Sequence, residues 1–244
     1  MVRLLTREHG RVHLLARGTY RPRSRTFALL DLFDTLDLSW TQHPRRELGE
    51  LVEGQIARRR QAIPGSLAAF RAGTSMLELA HLGSLPGQRD RPLFDLLSSS
   101  LDRLQDRFLA PELTLVLFEL GFLALHGLAP ALERCAACGG EAAATERAPS
   151  RAAFSAGAGG RLCSGCAAEA RAAGRRVGTL PLDVLDAAAA LSPLATGPGE
   201  PPALESDLLE RVRDFIERFL DYHLETQPRT HQAFLATANR NAPD

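Results

Sequence analysis

The chain has 244 residues, of which 45% are hydrophobic and 24% are charged, and its formal net charge is zero. These fractions are typical of a globular protein, and they exclude a disordered, collagen-like or mucin-like chain. All 29 basic residues are arginine, which excludes mechanisms that need a lysine amine, such as P-loop phosphate binding and Schiff-base catalysis.

The positive charge is concentrated at the start of the chain. Residues 1–30 contain seven arginines and one acid, a local charge of +6, so residues 31–244 carry −6. A basic segment joined to an acidic remainder suggests a polyanionic partner. The alternative is a solvated, arginine-rich face that binds no ligand.

Residues 1–62 are predicted to form a small β-domain. A strand is predicted over 12–16, and the loose alternation of apolar and polar residues over 27–40 predicts further half-buried strand. Between them lies a basic loop in which Gly18 and Pro22 exclude a helix. Short strands joined by a basic loop are typical of a small β-barrel.

From residue 63 onward the pattern predicts helices. Ser66 and Asp90 are predicted to be N-caps, because a short polar side chain can accept a hydrogen bond from the first helical turn. The helix that follows Pro111 is apolar on nearly every side, which predicts a position inside a bundle. The predicted helices cover residues 66–82, 90–108, 112–126, 181–191 and 204–223.

The four cysteines carry the strongest chemical signal. Cys135 and Cys138 form one C-x-x-C pair, and Cys163 and Cys166 form a second pair after 24 intervening residues. Two such pairs supply the four sulfur donors of a tetrahedral zinc site. We therefore predict one structural zinc ion, closed to water and substrate, within an Ala/Gly/Ser-rich loop. Redox-active pairs and unligated cysteines are the alternatives.

The basic loop supplies candidate contacts to single-stranded nucleic acid. Arginine binds phosphate through two hydrogen bonds and stacks on bases, and a tyrosine ring can also stack on a base. Phe33 and Trp40 are predicted to be core residues, and Arg58 to Arg60 are predicted to form a solvated face. The candidate nucleic-acid-binding residues are Arg17, Tyr20, Arg21, Arg23 and Arg25.

The sequence contains no catalytic or targeting motif that we recognise. Glycine-rich phosphate loops, serine-nucleophile motifs, zinc-protease motifs and paired-carboxylate signatures are absent, so the protein is predicted not to be an enzyme. It has neither a stretch of 18 apolar residues nor the apolar centre of a signal peptide. We therefore expect a cytoplasmic protein whose cysteines stay reduced.

An ordered set of short motifs resembles a known family. The motifs are L-L-T-R-E-H-G at 4–10, A-R-G at 16–18, P-R-S at 22–24, F-E-L at 118–120, L-H-G-L-A-P at 125–130, C-A-A-C-G at 135–139 and Y-H-L at 222–224. In this order they resemble the bacterial RecO family of DNA repair and recombination mediators. The motifs extend over nearly the whole chain.

The resemblance implies a non-catalytic function on DNA. It implies a protein that binds single- and double-stranded DNA, anneals complementary strands, and joins RecR to help load RecA onto strands coated by single-stranded DNA-binding protein. Such a protein is expected at the bacterial nucleoid. Within the basic loop, the resemblance implies DNA contacts only for Arg17, Arg21, Arg23 and Arg25.

Together these observations predict an α+β protein with a small OB-type β-barrel followed by a helical bundle. The barrel is expected at 1–62, the helical domain at 63–244, and a zinc-ribbon-like insertion at 131–170. Because the family usually has one more strand before the 4–10 motif, the barrel is expected to lack its first strand or the start to lie upstream. A protein-interaction adaptor with little DNA affinity, and an uncharacterised zinc or thiol enzyme, are the alternative functions.

Overall fold

The computed structural model describes residues 1–17, 29–42, 48–143, 145, 148–224, 228 and 230. Its contacts divide the chain into an N-terminal unit, Met1–Thr114, and a C-terminal unit, Leu115–Asp244. Within the described ranges, no helix is long and apolar enough to cross a membrane.

The N-terminal unit begins with a four-stranded sheet. Its strands are β1 (Val2–Thr6), β2 (Gly10–Leu15), β3 (Thr35–Thr41) and β4 (Leu48–Arg58), and they lie in the order β1-β2-β4-β3. The outer pairs are antiparallel, whereas β2 and β4 are parallel. Over the described residues, β1 and β3 are therefore the edges, and no strand pairing joins them.

The structure corrects the strand prediction for residues 27–40. Residues 27 and 28 lie outside the described residues, and the chain from 29 to 34 forms turns before β3 begins at Thr35. Phe33 has a φ of 72°, a left-handed conformation that interrupts a strand. Its ring is only 3% exposed and contacts Phe70 edge-on at 5.6 Å. The alternating sequence therefore corresponds to a turn that buries Phe33, followed by strand β3. The prediction that Phe33 is a core residue is confirmed.

Two helices of the N-terminal unit follow the predicted caps. Helix α1 (Leu67–Gly83) begins after Ser66, whose hydroxyl accepts a hydrogen bond from the backbone N–H of Ala69. Helix α2 (Arg91–Asp106) begins after Asp90, whose carboxylate accepts from the N–H of Leu93 at 3.1 Å. These two hydrogen bonds confirm both N-cap predictions. The sequence could predict them because an N-cap and the N–H group that it accepts from are only three residues apart.

The prediction of a solvated arginine run is wrong for its last member. Arg58 and Arg59 are exposed, but Arg60 is only 1% exposed. Its guanidinium donates to the backbone oxygen of Phe33 at 2.6 Å and to Asp102 at 2.7 Å. Partners that are distant in sequence bury this arginine, so local charge patterning could not reveal it.

Helix α3 (Pro111–Leu125) spans the boundary between the two units. It is buried along most of its length, as its nearly continuous apolar sequence predicts. Glu119 is also buried in this helix at 1% exposure. The helix ends at Leu125, and Gly127, which has a φ of 70°, lies in the turn that follows it.

The C-terminal unit contains a second sheet that the sequence did not predict. Its strands are β5 (Arg151–Ser155), β6 (Gly160–Leu162) and β7 (Gly178–Pro181), in the order β6-β5-β7, and helix α4 (Ser164–Ala172) follows β6. The prediction of an Ala/Gly/Ser-rich loop is therefore wrong for residues 151–162. Alanines replace the larger β-formers in these strands, which hides the usual strand pattern.

The last two helices are α5 (Leu182–Thr196) and α6 (Ser206–His223). The predicted end of α5 before Ser192 is wrong, since the helix continues through Pro193 to Thr196. A proline in the last turn removes one backbone donor without ending the turn, and Gly197 donates to the backbone oxygen of Pro193 at 3.0 Å. Phe154 of β5 contacts Phe215 of α6 edge-on at 5.2 Å, which joins the sheet to this helix.

Candidate metal centre and nucleic-acid interface

The first cysteine pair lies in a tight backbone turn. The N–H of Gly139 donates to the backbone oxygen of Cys135 at 2.8 Å, and the N–H of Cys135 donates to the backbone oxygen of Gly140 at 2.9 Å. Gly139 has a φ of 71°, which favours glycine at this position. The turn places the sulfurs of Cys135 and Cys138 on one side of the loop.

The second pair lies where β6 meets α4. Cys163 is the N-cap of α4, and its sulfur accepts from the N–H of Cys166 at 3.5 Å. The N–H of Ala136 donates to the backbone oxygen of Arg161 at 2.8 Å. This bond holds the first turn against β6 and brings the two pairs together.

The four sulfurs form one compact group. All lie within 4.8 Å of one another, and the Sγ atoms of Cys138 and Cys163 are 3.9 Å apart. In a tetrahedron with Zn–S bonds of about 2.3 Å, neighbouring sulfurs are about 3.8 Å apart. The donor set and its spacing therefore fit a tetrahedral divalent metal ion.

The pKa values of Cys135 and Cys166 are shifted in opposite directions. Burial alone would raise the pKa of the Cys135 thiol, but backbone N–H groups of Cys163, Cys138 and Ala137 donate to it and lower its pKa to about 6. Hydrogen bonds with Cys163, Cys138 and Cys135 raise the pKa of Cys166 to about 12. Four adjacent thiolates repel one another, and a bound cation would remove that repulsion.

A small apolar core supports the cysteine group. Cys135 is only 2% exposed, and Cys163 and Cys166 pack against the same core. The buried members of this core are Cys135, Ala142, Ala153, Leu162, Ala167 and Ala170. With alanine as the main residue, the core buries little apolar surface, so a metal would contribute much of its stability.

Of the candidate DNA-binding residues, only Arg17 lies among the described residues. It is exposed and its Nε lies 3.2 Å from a carboxylate oxygen of Glu50. An exposed pair of this kind is weak, so the guanidinium can exchange partners. The remaining candidates, Tyr20, Arg21, Arg23 and Arg25, lie outside the described residues.

The structure adds basic residues that the sequence analysis did not select. In the β1–β2 ladder, Arg3 lies opposite His13 and Leu5 lies opposite Arg11, so these side chains share one face of the sheet. Arg11 reaches helix α1, where it donates to the backbone oxygen of His81 at 2.7 Å. The sequence signal that could have identified Arg11 and His13 is their alternation with Val12 and Leu14, which are buried.

The fold and site define a class of protein with an arginine-bearing N-terminal sheet, a following set of helices, and a group of four cysteines whose spacing fits a metal ion. The family model described as "Recombination protein O N terminal" matches residues 1–60, and "Recombination protein O C terminal" matches residues 64–232. The chain therefore belongs to the RecO family.

Curated relatives agree with this assignment. The chain is 32% identical to the DNA repair protein RecO of Rhodopirellula baltica, over 83% of this chain and 71% of the relative. It is 33% identical to the protein of the same name from Anaeromyxobacter sp. strain K, over 92% and 84%. The corresponding Streptomyces avermitilis protein is 32% identical over 92% and 87%.

Proposed function

We propose that this protein is a non-enzymatic DNA repair mediator that binds DNA and anneals complementary single strands. Membership of the RecO family carries the proposal, because the relatives are named DNA repair proteins. The local charge of +6 in residues 1–30 supports it independently, since arginine-rich surfaces bind phosphate backbones.

The proposed mechanism is charge neutralisation. Arginines that contact phosphates release the counterions condensed on each strand, which favours binding and lowers the repulsion between two strands. Two complementary strands held on one surface can then pair. Arg17, Arg21, Arg23 and Arg25 are the proposed phosphate contacts, and Tyr20 is proposed to stack on a base.

The domain assignment is part of the proposal. We propose that residues 1–62 form an OB-type domain, of which β1 to β4 are the described strands, and that residues 63–244 form the helical domain. Residues 131–170 are proposed as its metal-binding insertion. One structural zinc ion held by Cys135, Cys138, Cys163 and Cys166 is supported by the spacing of their sulfurs.

The proposed partners follow from the family. We propose that the protein acts at the nucleoid with RecR to load RecA onto single strands coated by single-stranded DNA-binding protein. The test is annealing of a fluorescently labelled strand to its complement, with and without single-stranded DNA-binding protein. The protein is expected to accelerate annealing in both conditions. The acceleration is expected to be strongest when RecR is added to the strands coated by single-stranded DNA-binding protein. An unchanged annealing rate in both conditions would contradict the proposal.

A cavity in the C-terminal unit favours a second candidate, a protein-interaction adaptor. The cavity has a volume of about 350 Å³ and is lined by Phe154, Phe215 and Phe219 together with Arg151 and Arg218. Apolar walls beside arginines suit a peptide with apolar and acidic side chains. Negligible DNA affinity near physiological salt, together with retained binding of protein partners, would favour the adaptor.

A further inference from the structure

The four members of the cysteine group differ in their exposure to solvent. Cys138 is exposed, whereas the other three are half-buried or, in the case of Cys135, only 2% exposed. The residues on either side of Cys138 are Ala137 and Gly139, which are also exposed. Neither has a side chain long enough to cover the sulfur. Cys138 is therefore the member of the group that a small solute reaches first.

Gly140 leaves space beside the Cys138 sulfur. A Cβ at position 140 would lie 3.4 Å from Sγ of Cys138, which is an ordinary van der Waals contact. Gly140 does not share the positive φ of its neighbour Gly139, so the backbone does not require glycine at this position. A molecule as small as hydrogen peroxide fits into the space that the missing side chain leaves, whereas bulkier thiol reagents do not.

A second sulfur lies close to the exposed one. Sγ of Cys163 is 3.9 Å from Sγ of Cys138. A disulfide bond is about 2.0 Å long, so the two sulfurs must approach by about 2 Å to form one. The core beneath them consists mainly of alanine and buries little apolar surface, so few contacts oppose this movement. The two sulfurs can therefore join once one of them is oxidised.

We propose that Cys138 is a peroxide-sensitive modification site, and that its oxidation forms a Cys138–Cys163 disulfide and opens the metal centre. The inference rests on the metal centre of the proposed function and adds a redox control to it. In the first step, the Cys138 thiolate attacks one oxygen of hydrogen peroxide. An S–O bond forms, the O–O bond breaks, and the hydroxide that leaves takes up a proton to become water. Cys138 is then a sulfenic acid.

In the second step, the Cys163 thiolate attacks the oxidised sulfur of Cys138. An S–S bond forms, the S–O bond breaks, and a second hydroxide leaves and takes up a proton to become water. The two sulfurs together lose two electrons, which reduce one peroxide molecule to two water molecules. The group then retains only the thiolates of Cys135 and Cys166. Two sulfur donors hold a divalent ion more weakly than four, so the group releases its metal.

Mass spectrometry can identify the disulfide directly. Trypsin cleaves after arginine and places the two cysteine pairs on different peptides, 135–147 and 162–171, so a link between the pairs differs from a link within one pair. We would treat the purified full-length protein with hydrogen peroxide, follow zinc release with a chromogenic chelator, and map the disulfides by peptide fragmentation. Zinc release is expected to proceed in step with the Cys138–Cys163 link. Dithiothreitol with added zinc should restore the metal content.

Two glycine variants test the assignment without changing a sulfur donor. Gly140→Ala places a methyl group against the Cys138 sulfur and is expected to slow zinc release by at least about threefold, because thiol oxidation depends on access. Gly165→Ala adds the same methyl group between Cys163 and Cys166, where a Cβ would have no atom within 4 Å. This control is expected to change the rate less than about 1.5-fold. Both variants should hold zinc before oxidation.

The outcomes separate the modification site from the metal centre. Equal rates of zinc release in Gly140→Ala and Gly165→Ala, or a first disulfide within either cysteine pair, would overturn the proposal. Zinc retained in protein that carries the Cys138–Cys163 link would overturn the release step. Purified protein without zinc would contradict the proposed metal centre, and the disulfide map would still decide whether Cys138 is the reactive site.

Discussion

The Nε of Arg60 lies 2.7 Å from Oδ1 of Asp102, and this ion pair joins the end of the N-terminal sheet to helix α2. The same guanidinium donates to the backbone oxygen of Phe33 at 2.6 Å and to the hydroxyl of Thr35 at 2.9 Å. One buried side chain thus fixes the turn before β3, the start of β3 and a helix. Burying such a charge is tolerated only because its donors are satisfied.

Replacing Arg60 by methionine is expected to lower the free energy of unfolding by roughly 1–3 kcal/mol, because it leaves the buried backbone oxygen of Phe33 without its donor. Arg58 is a matched control, since its Nε lies 2.6 Å from the same Asp102 oxygen but its side chain is half exposed. Arg58→Met is expected to cost less than about 1 kcal/mol. Urea unfolding measures both, and equal losses would show that burial of Arg60 contributes nothing.

All four cysteine sulfurs are predicted to be needed for metal binding. Cys163→Ser is expected to abolish metal binding, since three thiolates and a hydroxyl form a poor site, and to destabilise residues 131–170 locally. Purified protein analysed for metal content should hold one zinc ion per chain, and Ser164→Ala, next to the ligand, should retain it. Thiol titration should detect the four cysteines only after chelation. Stoichiometric zinc in Cys163→Ser would refute the four-cysteine site.

The close backbone contact between Gly160 and Ala131 is predicted to support the cysteine group. Its φ is 152°, and a Cβ at this position would meet the backbone oxygen and nitrogen of Ala131. Gly160→Ala is therefore expected to displace the segment that leads to Cys135, to cost about 1–3 kcal/mol, and to reduce the metal content. Gly159→Ala is the control, because Gly159 also has a positive φ but open space around it.

In this comparison the backbone conformation is strained in both variants, and only Gly160→Ala adds a collision. Thermal unfolding followed by circular dichroism, together with metal analysis, measures the difference. A larger loss in Gly159→Ala would mean that the contact between Gly160 and Ala131 does not support the site.

The pH dependence of stability should depend on His81. Burial, followed by the neighbouring Arg11 guanidinium, lowers the pKa of His81 below its usual value of 6.5. Arg3 on β1 and His13 on β2 also lower it, and Glu78 on α1 raises it. The unfolded chain therefore takes up a proton near pH 6.5 that the folded chain resists, so stability falls as the pH falls through this range.

His81→Gln removes that group, so the variant should lose less stability than the parent protein between pH 7.5 and about pH 5.5. Urea unfolding at a series of pH values measures the difference. Parallel curves for the two proteins would show that His81 does not resist protonation in the folded state.

The sequence predicts the parts of this structure that depend on neighbouring residues. Ser66 and Asp90 cap helices because the acceptor and the N–H group are three residues apart, and the C-x-x-C spacing itself brings two sulfurs together. These signals are local. They required no knowledge of the tertiary structure.

The features that the sequence did not predict depend on residues that are distant in sequence. The left-handed conformation of Phe33 and the burial of Arg60 depend on each other and on helices reached more than 30 residues later. Residue pairing across β1 and β2, which places Arg3, Arg11 and His13 on one face, likewise depends on register. No window along the sequence contains that information.

The most direct test of the account is the salt dependence of single-stranded DNA binding by fluorescence anisotropy. Each phosphate contact contributes roughly 0.7 to the slope of log affinity against log salt for a single strand. Alanine at Arg21, Arg23 and Arg25 together should therefore lower the slope by about two units relative to the parent protein. An unchanged slope, or no binding at low salt, would contradict DNA binding by the arginine-rich N-terminal segment.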